Sequence, residues 1–216
     1  MLFSSFLERI SALKALPLLA SASHLKMAPL ERISYMEESF YKKHNPKKAA
    51  VLILCYPKNG QTNLVLIVRN SYPGVHSSQI GFPGGKVDKD DRDLMHTAIR
   101  ETEEEVGVAK NTIEIIKPLS EVYIPPSNFL VQPYIAYVKN TPLFIPDARE
   151  VKKVLEVPMS VLLDKKTLIT TKMSTSYAEN LEVPAFFIQD YVVWGATAMM
   201  LSEFKDSMLL SSDGAF

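Results

Sequence analysis

Hydrophobic residues recur along this chain in two distinct patterns. Near the N-terminus they lie three or four positions apart, at Phe3, Phe6, Leu7, Ile10, Leu13 and Leu16. This spacing predicts an amphipathic helix over residues 2–16. Residues 49–56 and 63–69 are instead continuous apolar runs on either side of a turn-rich segment, 57–61, which predicts a β-hairpin. Because the polar face of the helix is not strongly basic, we expect its apolar face to pack on the protein body or on a second subunit rather than on a membrane.

Strands and helices alternate irregularly after the hairpin. A charged stretch, 88–108, has helical periodicity. Further strands are predicted at 113–116, 121–124, 129–138, 167–171 and 186–188, with helices at 157–163 and 194–204. Pro133 marks the strand 129–138 as an edge strand or a bulged one. This order predicts one mixed α+β domain over residues 46–216. An N-terminal helical extension, residues 1–45, precedes it and includes a second short helix within 27–41.

Composition and charge exclude several classes of protein. Hydrophobic residues make up 47% of the 216 positions and charged residues 22%, which is typical of a soluble globular protein. Lys plus Arg and Asp plus Glu number 24 each, so no excess positive charge favours a nucleic acid partner. No apolar run reaches the roughly 18 residues that span a bilayer. We therefore expect neither a nucleic acid nor a membrane partner.

The single cysteine, Cys55, lies in an apolar run and is interpreted as a small buried hydrophobic residue. A chain without a cysteine pair suits a reducing compartment, which favours the cytoplasm. Residues 16–22 imitate a short targeting signal, but Glu8 and Lys14 interrupt the pattern before them. A homodimer formed through the N-terminal extension stays open as an alternative.

Four glutamates crowd the second half of the charged stretch. At about 100° per residue, Glu101, Glu104 and Glu105 share one face of the predicted helix, while Glu103 points away. Like charges at this spacing destabilise a helix, whereas a divalent cation such as Mg²⁺ is bound by carboxylate oxygens. The predicted helix therefore carries a candidate metal site, with a solvated acidic face as the alternative.

These residues resemble the Nudix box, in which Gly, five residues, Glu and seven residues precede Arg-Glu-apolar-x-Glu-Glu-x-Gly-apolar. Residues 100–108 match the second half, with Thr102 at an apolar position. The first half differs, because Gly85 lies one residue too far from Arg100 and Asp91 or Arg92 occupies the place of Glu. Upstream, residues 66–91, with Phe-Pro-Gly-Gly at 82–85, are similar to the signature of the coenzyme A pyrophosphatase branch.

This resemblance implies a Nudix-type α/β/α sandwich with a mixed β-sheet. It also implies hydrolysis of the pyrophosphate bond of coenzyme A or acyl-CoA, a small nucleotide substrate, with Mg²⁺ or Mn²⁺ as cofactor. The metal ligands would be Glu101, Glu104, Glu105 and the carbonyl of Gly85. Glu104 would alternatively act as the base, and Arg100 would orient a carboxylate.

The resemblance places the substrate-binding groups less specifically. Candidates are Arg69 and His76 for phosphate, Ser127 and Asn128 in a loop near the site, and Glu150 as a distal carboxylate. An ADP-ribose or NADH pyrophosphatase is the alternative within the enzyme class, because the box determines the chemistry and not the leaving group. A Nudix-fold binding module without turnover is the alternative from another class, suggested by the altered first half of the box.

Overall fold

A computed structural model of the chain describes residues 1–70, 79–173 and 180–212. The helices of these ranges are α1 (Phe3–Ala15), α2 (Ser21–His24), α3 (Glu38–Lys42), α4 (Leu94–Val106), α5 (Met159–Leu163) and α6 (Gly195–Leu210). The strands are β1 (Lys47–Lys58), β2 (Gln61–Arg69), β3 (Ile80–Gly81), β4 (Gly84–Lys86), β5 (Glu114–Pro118), β6 (Val122–Ile124), β7 (Phe129–Tyr137), β8 (Val151–Pro158), β9 (Leu168–Met173), β10 (Leu181–Ile188) and β11 (Tyr191–Trp194).

Strand β1 lies at the centre of a mixed eight-stranded sheet. The main path runs β3-β2-β1-β7-β5, while β4 pairs with β1, β6 with β7 and β8 with β2. β1 and β7 are parallel over nine residue pairs, and the other pairings in this sheet are antiparallel. A second, antiparallel sheet has the order β11-β10-β9. The mixed α+β class predicted from the sequence is confirmed.

The two faces of β1 enter different hydrophobic clusters because successive side chains of a strand point in opposite directions. Leu54 and its alternate neighbours pack with Ala98 of α4. Ile53 and Cys55 pack on the other face with Phe6 of α1 and with α6. Helices thus cover both faces of the sheet, the α/β/α arrangement that the resemblance implied. Cys55 is completely buried, as its interpretation as a buried hydrophobic residue required.

The predicted hairpin is confirmed, with a tighter turn than expected. β1 continues to Lys58 and β2 begins at Gln61, which leaves only Asn59 and Gly60 between them. Both have positive φ, 50° and 72°, as a two-residue turn between twisted strands requires. This turn also receives the N-terminus, since the Phe3 amide donates to the Gly60 carbonyl at 2.9 Å.

The prediction that Pro133 marks β7 as an edge strand or a bulged one was wrong. β7 lies between β1 and the two short strands β5 and β6, and the register shift is in β5, between Ile115 and Lys117. Pro133 falls between the end of β5 and the start of β6, where its carbonyl accepts a hydrogen bond from the Leu119 amide. Its nitrogen faces the same side, so the missing N–H leaves the pairing with β1 intact.

Some elements differ from those that the hydrophobic pattern predicted, because strand pairing between distant parts of the chain determines them. β8 and β11 were not predicted, although Val151, Leu155 and Val157 are buried and Lys152 is exposed, as expected of a strand. The last helix begins at Gly195, after β11, and α5 begins at Met159, after β8. The helix predicted within 27–41 is a 3₁₀ segment, Leu30–Met36, followed by α3.

The N-terminal residues pack into the main core. Phe6 and Leu13 of α1 are completely buried. The backbone amides of Leu19 and Ala20 and the His24 ring bond to the buried carboxylate of Glu203 in α6. Whether residues 1–45 form a unit of their own stays a prediction. In the described ranges, no helix combines the length and apolarity that crossing a membrane requires.

Candidate active site

The residues at the two ends of α4 determine where the helix, and with it the acidic face, begins and ends. The side chain of Asp93 caps the first turn by accepting a hydrogen bond from the His96 amide at 2.7 Å, a common N-cap arrangement. Gly107 ends the helix with φ of 75°. A Cβ at Gly107 would come within 2.9 Å of the Ile145 side chain, so this glycine also lets the following loop approach the helix. The helix is therefore shorter at both ends than the predicted 88–108.

Arg100 is fixed by a buried carboxylate on the segment before α4. Its Nε and Nη2 atoms donate to the two oxygens of Asp91, each at 2.9 Å. Thr97 and His96 also contact this carboxylate. The hydrogen bond from Arg100 holds the pKa of Asp91 well below its usual range. Of the two residues that could occupy the first acidic position of the pattern, Asp91 therefore makes the structural contact, while Arg92 is exposed.

Glu101 lies directly against the glycine pair of β4. A Cβ on Gly85 would stand 2.5 Å from its Cδ atom and 2.6 Å from both carboxylate oxygens, so only glycine leaves room here. The Nη1 atom of Arg100 lies 3.0 Å from Glu101 Oε1. Burial raises the pKa of Glu101, and Arg100 partly offsets that effect. The glycine thus positions a carboxylate at the sheet edge.

Glu105 is the most deeply buried of the three glutamates, with 2% of its side chain exposed. Its Oε2 accepts a hydrogen bond from the Gly84 amide at 2.8 Å. Its Oε1 is buried and has no hydrogen-bond partner among the described residues; Arg69 Nη1 stands 3.6 Å away. Burial raises the pKa of Glu105 to about 7. A buried carboxylate oxygen without a donor fits a cation ligand.

Glu104 borders the same cavity from the exposed side of the helix. Its side chain is 59% exposed and accepts a hydrogen bond from Arg100 Nη1 at 3.0 Å. The cavity has a volume of about 90 Å³ and is lined by Glu101, Glu104, Glu105, Asp147, Arg149 and Glu150. Across the described ranges, no three His, Cys, Asp or Glu side chains stand at metal-ligand spacing, and Arg100 Nη1 bridges Glu101 and Glu104 instead. The oxygen donors nevertheless suit a hard divalent cation such as Mg²⁺ or Mn²⁺.

The other sequence candidates lie at different distances from this cavity. Arg69, at the end of β2, comes within 3.6 Å of Glu105 but does not line the cavity, and His76 lies outside the described residues. Asn128 is held in the turn before β7, where its amide accepts from the Tyr123 hydroxyl and donates to the His44 carbonyl, both at 3.0 Å. Neither Asn128 nor Ser127 lines the cavity. Their role in substrate binding stays a prediction, as does the role of the Gly85 carbonyl.

Two cavity residues, Asp147 and Arg149, were not found from the sequence. They belong to the loop after β7, which is fastened to the end of α4. The Ile145 amide donates to the Val106 carbonyl and the Asp147 amide to the Glu105 carbonyl, each at 3.0 Å. The sequence around them is an ordinary mixed-charge loop, so no local signal distinguishes them. The same loop brings Glu150, a weaker candidate from the sequence, into the cavity wall.

Comparison with known proteins gives a consistent result. A family model described as "NUDIX domain" matches residues 46–168. The mitochondrial coenzyme A diphosphatase of Homo sapiens is 33% identical over 167 residues, covering 76% of this chain and 70% of that protein. The mitochondrial Nudix hydrolase 15 of Arabidopsis thaliana is 31% identical over 162 residues, which is 72% of this chain. The chain spans 56% of the length of that relative and 59% of the chloroplastic Nudix hydrolase 22 of the same plant.

Solved structures share the fold. The M. Smegmatis Nudix hydrolase RenU superimposes with a TM-score of 0.52 at 15% identity, over 79% of this chain and 89% of that one. A MutT/nudix family protein from Enterococcus faecalis gives a TM-score of 0.51 at 18% identity, over 84% of this chain and 70% of that one. At these identities the likeness concerns the arrangement of helices and strands.

Proposed function

This chain belongs to the Nudix hydrolase family, and from that membership we propose that it hydrolyses the pyrophosphate bond of coenzyme A or an acyl-CoA. The observation that carries the proposal is the pair of carboxylates, the partly buried Glu101 and the buried Glu105, held against Gly85 and Gly84 at the wall of one cavity. The coenzyme A substrate is supported by the 33% identity to a protein named coenzyme A diphosphatase and by the Phe-Pro-Gly-Gly signature at 82–85.

In the proposed reaction, the oxygen of a water molecule forms a bond to one phosphorus of the pyrophosphate. The bridging P–O bond breaks, and the bridging oxygen leaves with the other phosphorus. The two protons of the water are released to the base and solvent or stay on the product phosphates. The products are 4′-phosphopantetheine, or its acyl form, and adenosine 3′,5′-bisphosphate.

Glu101 and Glu105, with Glu104 at the open side, would hold the divalent cation. When bound, Mg²⁺ or Mn²⁺ neutralises phosphate oxygens and lowers the pKa of a coordinated water. The carboxylates of Glu101 and Glu105 suit this task because Glu101 lies directly against Gly85 and Glu105 accepts a hydrogen bond from the Gly84 amide. The side chains therefore need little reorganisation to act together.

Arg100 of α4 and Asp91, on the segment before this helix, orient these carboxylates. Asp91 fixes Arg100, and Arg100 in turn contacts Glu101 and Glu104 at 3.0 Å each. Glu104 is the most accessible of the three glutamates and, as the alternative to binding a metal, is our candidate for the base that accepts a proton from water. The Nη1 atom of Arg69 lies 3.6 Å from Glu105 Oε1, and its charge would favour a phosphate at the cavity.

The test is incubation with Mg²⁺ or Mn²⁺ and coenzyme A, acetyl-CoA, ADP-ribose, NADH or 8-oxo-dGTP, with products separated by chromatography. We expect coenzyme A or its acyl form to give adenosine 3′,5′-bisphosphate. Turnover of ADP-ribose or NADH alone would contradict the substrate assignment. An absence of any turnover would favour the binding module.

A matched pair of variants tests the site itself. Glu104→Gln removes a cavity carboxylate and should lower kcat, while Glu103→Gln makes the same change on a side chain that binds Lys110 instead. Full activity of both variants would contradict the role of Glu104.

We also propose that the protein acts in the cytoplasm as a monomer or a homodimer. The unpaired Cys55 suits a reducing compartment, while two of the relatives are named mitochondrial and one chloroplastic. Cell fractionation distinguishes these locations. Phe3, Phe6 and Leu13 are buried within the chain, so α1 has mainly Leu7 left for a second subunit; size-exclusion chromatography tests the dimer.

A further inference from the structure

We propose that Arg149 is a substrate-binding residue that exchanges its partner, Asp147, for the pyrophosphate oxygens of the substrate. This inference rests on the proposed function for the identity of the ligand. It concerns a residue that the family pattern in the sequence did not indicate. Four observations support it: the charge of the cavity, the fixed backbone of the loop, the exposure of the Arg149 side chain and the geometry of its contact with Asp147.

The lining of the cavity is acidic apart from Arg149, while Arg100 and Arg69 contact the carboxylates without lining the cavity. Five of the six residues that line it in the described part of the chain are carboxylates, and Arg149 is the cation. An anionic pyrophosphate entering this space meets repulsion from the carboxylates unless cations compensate. Arg149 supplies the positive charge of the wall opposite α4.

The backbone around Arg149 is anchored at both ends of the loop. The Asp147 amide donates to the Glu105 carbonyl at 3.0 Å, and the Asn70 amide donates to the Glu150 carbonyl at 2.9 Å. The Asn70 side chain also donates to the Ala148 carbonyl at 2.6 Å. The Cα atom of Arg149 is thus held beside the carboxylates, and only its side chain has to move to reach a ligand.

The contact between Arg149 and Asp147 is well formed but inexpensive to break. Nε donates to both carboxylate oxygens at 3.1 Å, and Nη2 donates to Oδ2 at 2.6 Å. The Arg149 side chain is 87% exposed and that of Asp147 is 22% exposed, and an ion pair with an end this exposed contributes little to stability. Asp147 would keep the hydrogen bond that it accepts from the Arg149 amide at 2.9 Å. A phosphate group offers the same bidentate geometry with more charge. Exchange of one acceptor for the other is therefore favourable when substrate enters.

Steady-state kinetics on coenzyme A gives the first test. Arg149→Ala should raise KM about tenfold to a hundredfold, the range for one lost charge-assisted contact, while kcat changes less than threefold. Arg149→Lys keeps the positive charge but loses the bidentate guanidinium group. Its KM should lie between those of the wild type and Arg149→Ala. Lys152→Ala removes a charge from an exposed residue three positions away and should leave KM unchanged. Equal KM values for wild type and Arg149→Ala would overturn the proposal.

A double-mutant cycle separates exchange from a general charge effect. The probe is ADP, which carries the pyrophosphate without a linked group, and its Kd is measured by calorimetry in the presence of Mg²⁺. If Arg149 exchanges partners, Asp147→Asn should tighten ADP binding in the wild type and have little effect in Arg149→Ala. An equal gain in both backgrounds would mean that Asp147 acts only through its charge, and the exchange would be refuted.

The two proposals fail in distinguishable ways. If the wild type hydrolyses coenzyme A and Arg149→Ala does so with the same KM, the inference is wrong and the proposed function stands. If the wild type hydrolyses no compound of the panel, the proposed function is wrong, and the ADP binding cycle still decides the role of Arg149.

Discussion

Arg100 binds Asp91 through two parallel hydrogen bonds of 2.9 Å each, and 1% of the Asp91 side chain is exposed. The pair joins the segment before α4 to the middle of the helix, nine residues later. Because Arg100 also contacts Glu101 and Glu104, a carboxylate outside the cavity determines the positions of two carboxylates inside it. Asp91 is thus a positioning residue for the candidate site.

Replacing Asp91 tests this relationship. Asp91→Asn should destabilise the protein by about 2 kcal/mol, since it removes charge-assisted hydrogen bonds from a buried group. It should also lower kcat, because Arg100 loses its anchor. Chemical denaturation and steady-state kinetics measure the two effects. Asp90→Asn, on an exposed neighbour, is the control and should leave both quantities unchanged.

The stabilisation by Asp91 has a definite pH dependence. The pKa of Asp91 in the folded protein is lowered, mainly by the hydrogen bond from Arg100. The folded state therefore favours the ionised carboxylate. The contribution of the ionised Asp91 to the free energy of unfolding is complete above the pKa of about 4 that this group has in the unfolded chain. It is lost as the pH falls toward the lower pKa that it has in the folded protein. The difference in unfolding free energy between wild type and Asp91→Asn should therefore be constant above about pH 5 and shrink below it. A difference that grew on acidification would contradict this assignment.

The glycine before the acidic helix provides a steric prediction. Gly85→Ala places a methyl group 2.5 Å from Glu101 Cδ, so the carboxylate has to move. We expect kcat/KM to fall by about a hundredfold or more, because misplaced catalytic groups are costly. Gly81→Ala is matched to it, since no atom lies within 4 Å of a Cβ at that position. Similar activities for the two variants would show that Glu101 tolerates displacement.

Cation binding can be followed without turnover. Mg²⁺ should raise the Tm of the wild type, because a ligand of the folded state stabilises it. Glu105→Gln should lose this response and reduce activity by about a hundredfold or more. Glu103→Gln, on the same helix but paired with Lys110, should keep both. An undiminished Mg²⁺ response in Glu105→Gln would exclude it as a ligand.

The contacts of the buried Glu203 lead to a prediction about the stability of the N-terminal residues. It accepts hydrogen bonds from the amides of Leu19, Ala20 and Ser120 and contacts His24 at 2.9 Å. Burial alone would raise its pKa, but these donors, His24 first among them, lower it.

His24→Ala should accordingly cost about 1–3 kcal/mol of stability and leave kcat/KM on coenzyme A unchanged. Lys26→Ala, which removes an exposed contact with Asp206, should cost less than about 1 kcal/mol. Thermal unfolding and activity assays compare the two. Equal stabilities would show that residues 19–24 are not fastened by this contact.

Local periodicity was enough to predict how the acidic residues group. Glu101, Glu104 and Glu105 border one cavity and Glu103 points elsewhere, because helical geometry relates residues a few positions apart. Arg149 and Asp147 could not be found in this way. Their loop is held at the cavity by hydrogen bonds to the end of α4, which lies about forty positions earlier in the sequence. The course of such a loop depends on tertiary contacts, which local periodicity does not predict.

Strand positions show the same limit. The hairpin was predicted because both of its strands and its turn are contiguous in sequence. β8 was missed, since its pairing with β2 joins residues about ninety positions apart and its charged residues resemble a loop. Pro133 was predicted to mark an edge strand or a bulged one, because proline has no N–H for strand pairing. The sheet instead accommodates Pro133 in the gap between β5 and β6.

The contacts of Glu203 have a consequence for synthesis of the chain. Its partners Leu19, Ala20 and His24 precede it by 184, 183 and 179 residues. On a ribosome, which builds from the N-terminus, residues 19–24 are made before this carboxylate and meet it only after the intervening residues have been translated. Contacts of such long sequence separation slow folding. The completion of the core is thus coupled to translation of α6, since a nascent chain that stops before Glu203 leaves Leu19, Ala20 and His24 without this carboxylate.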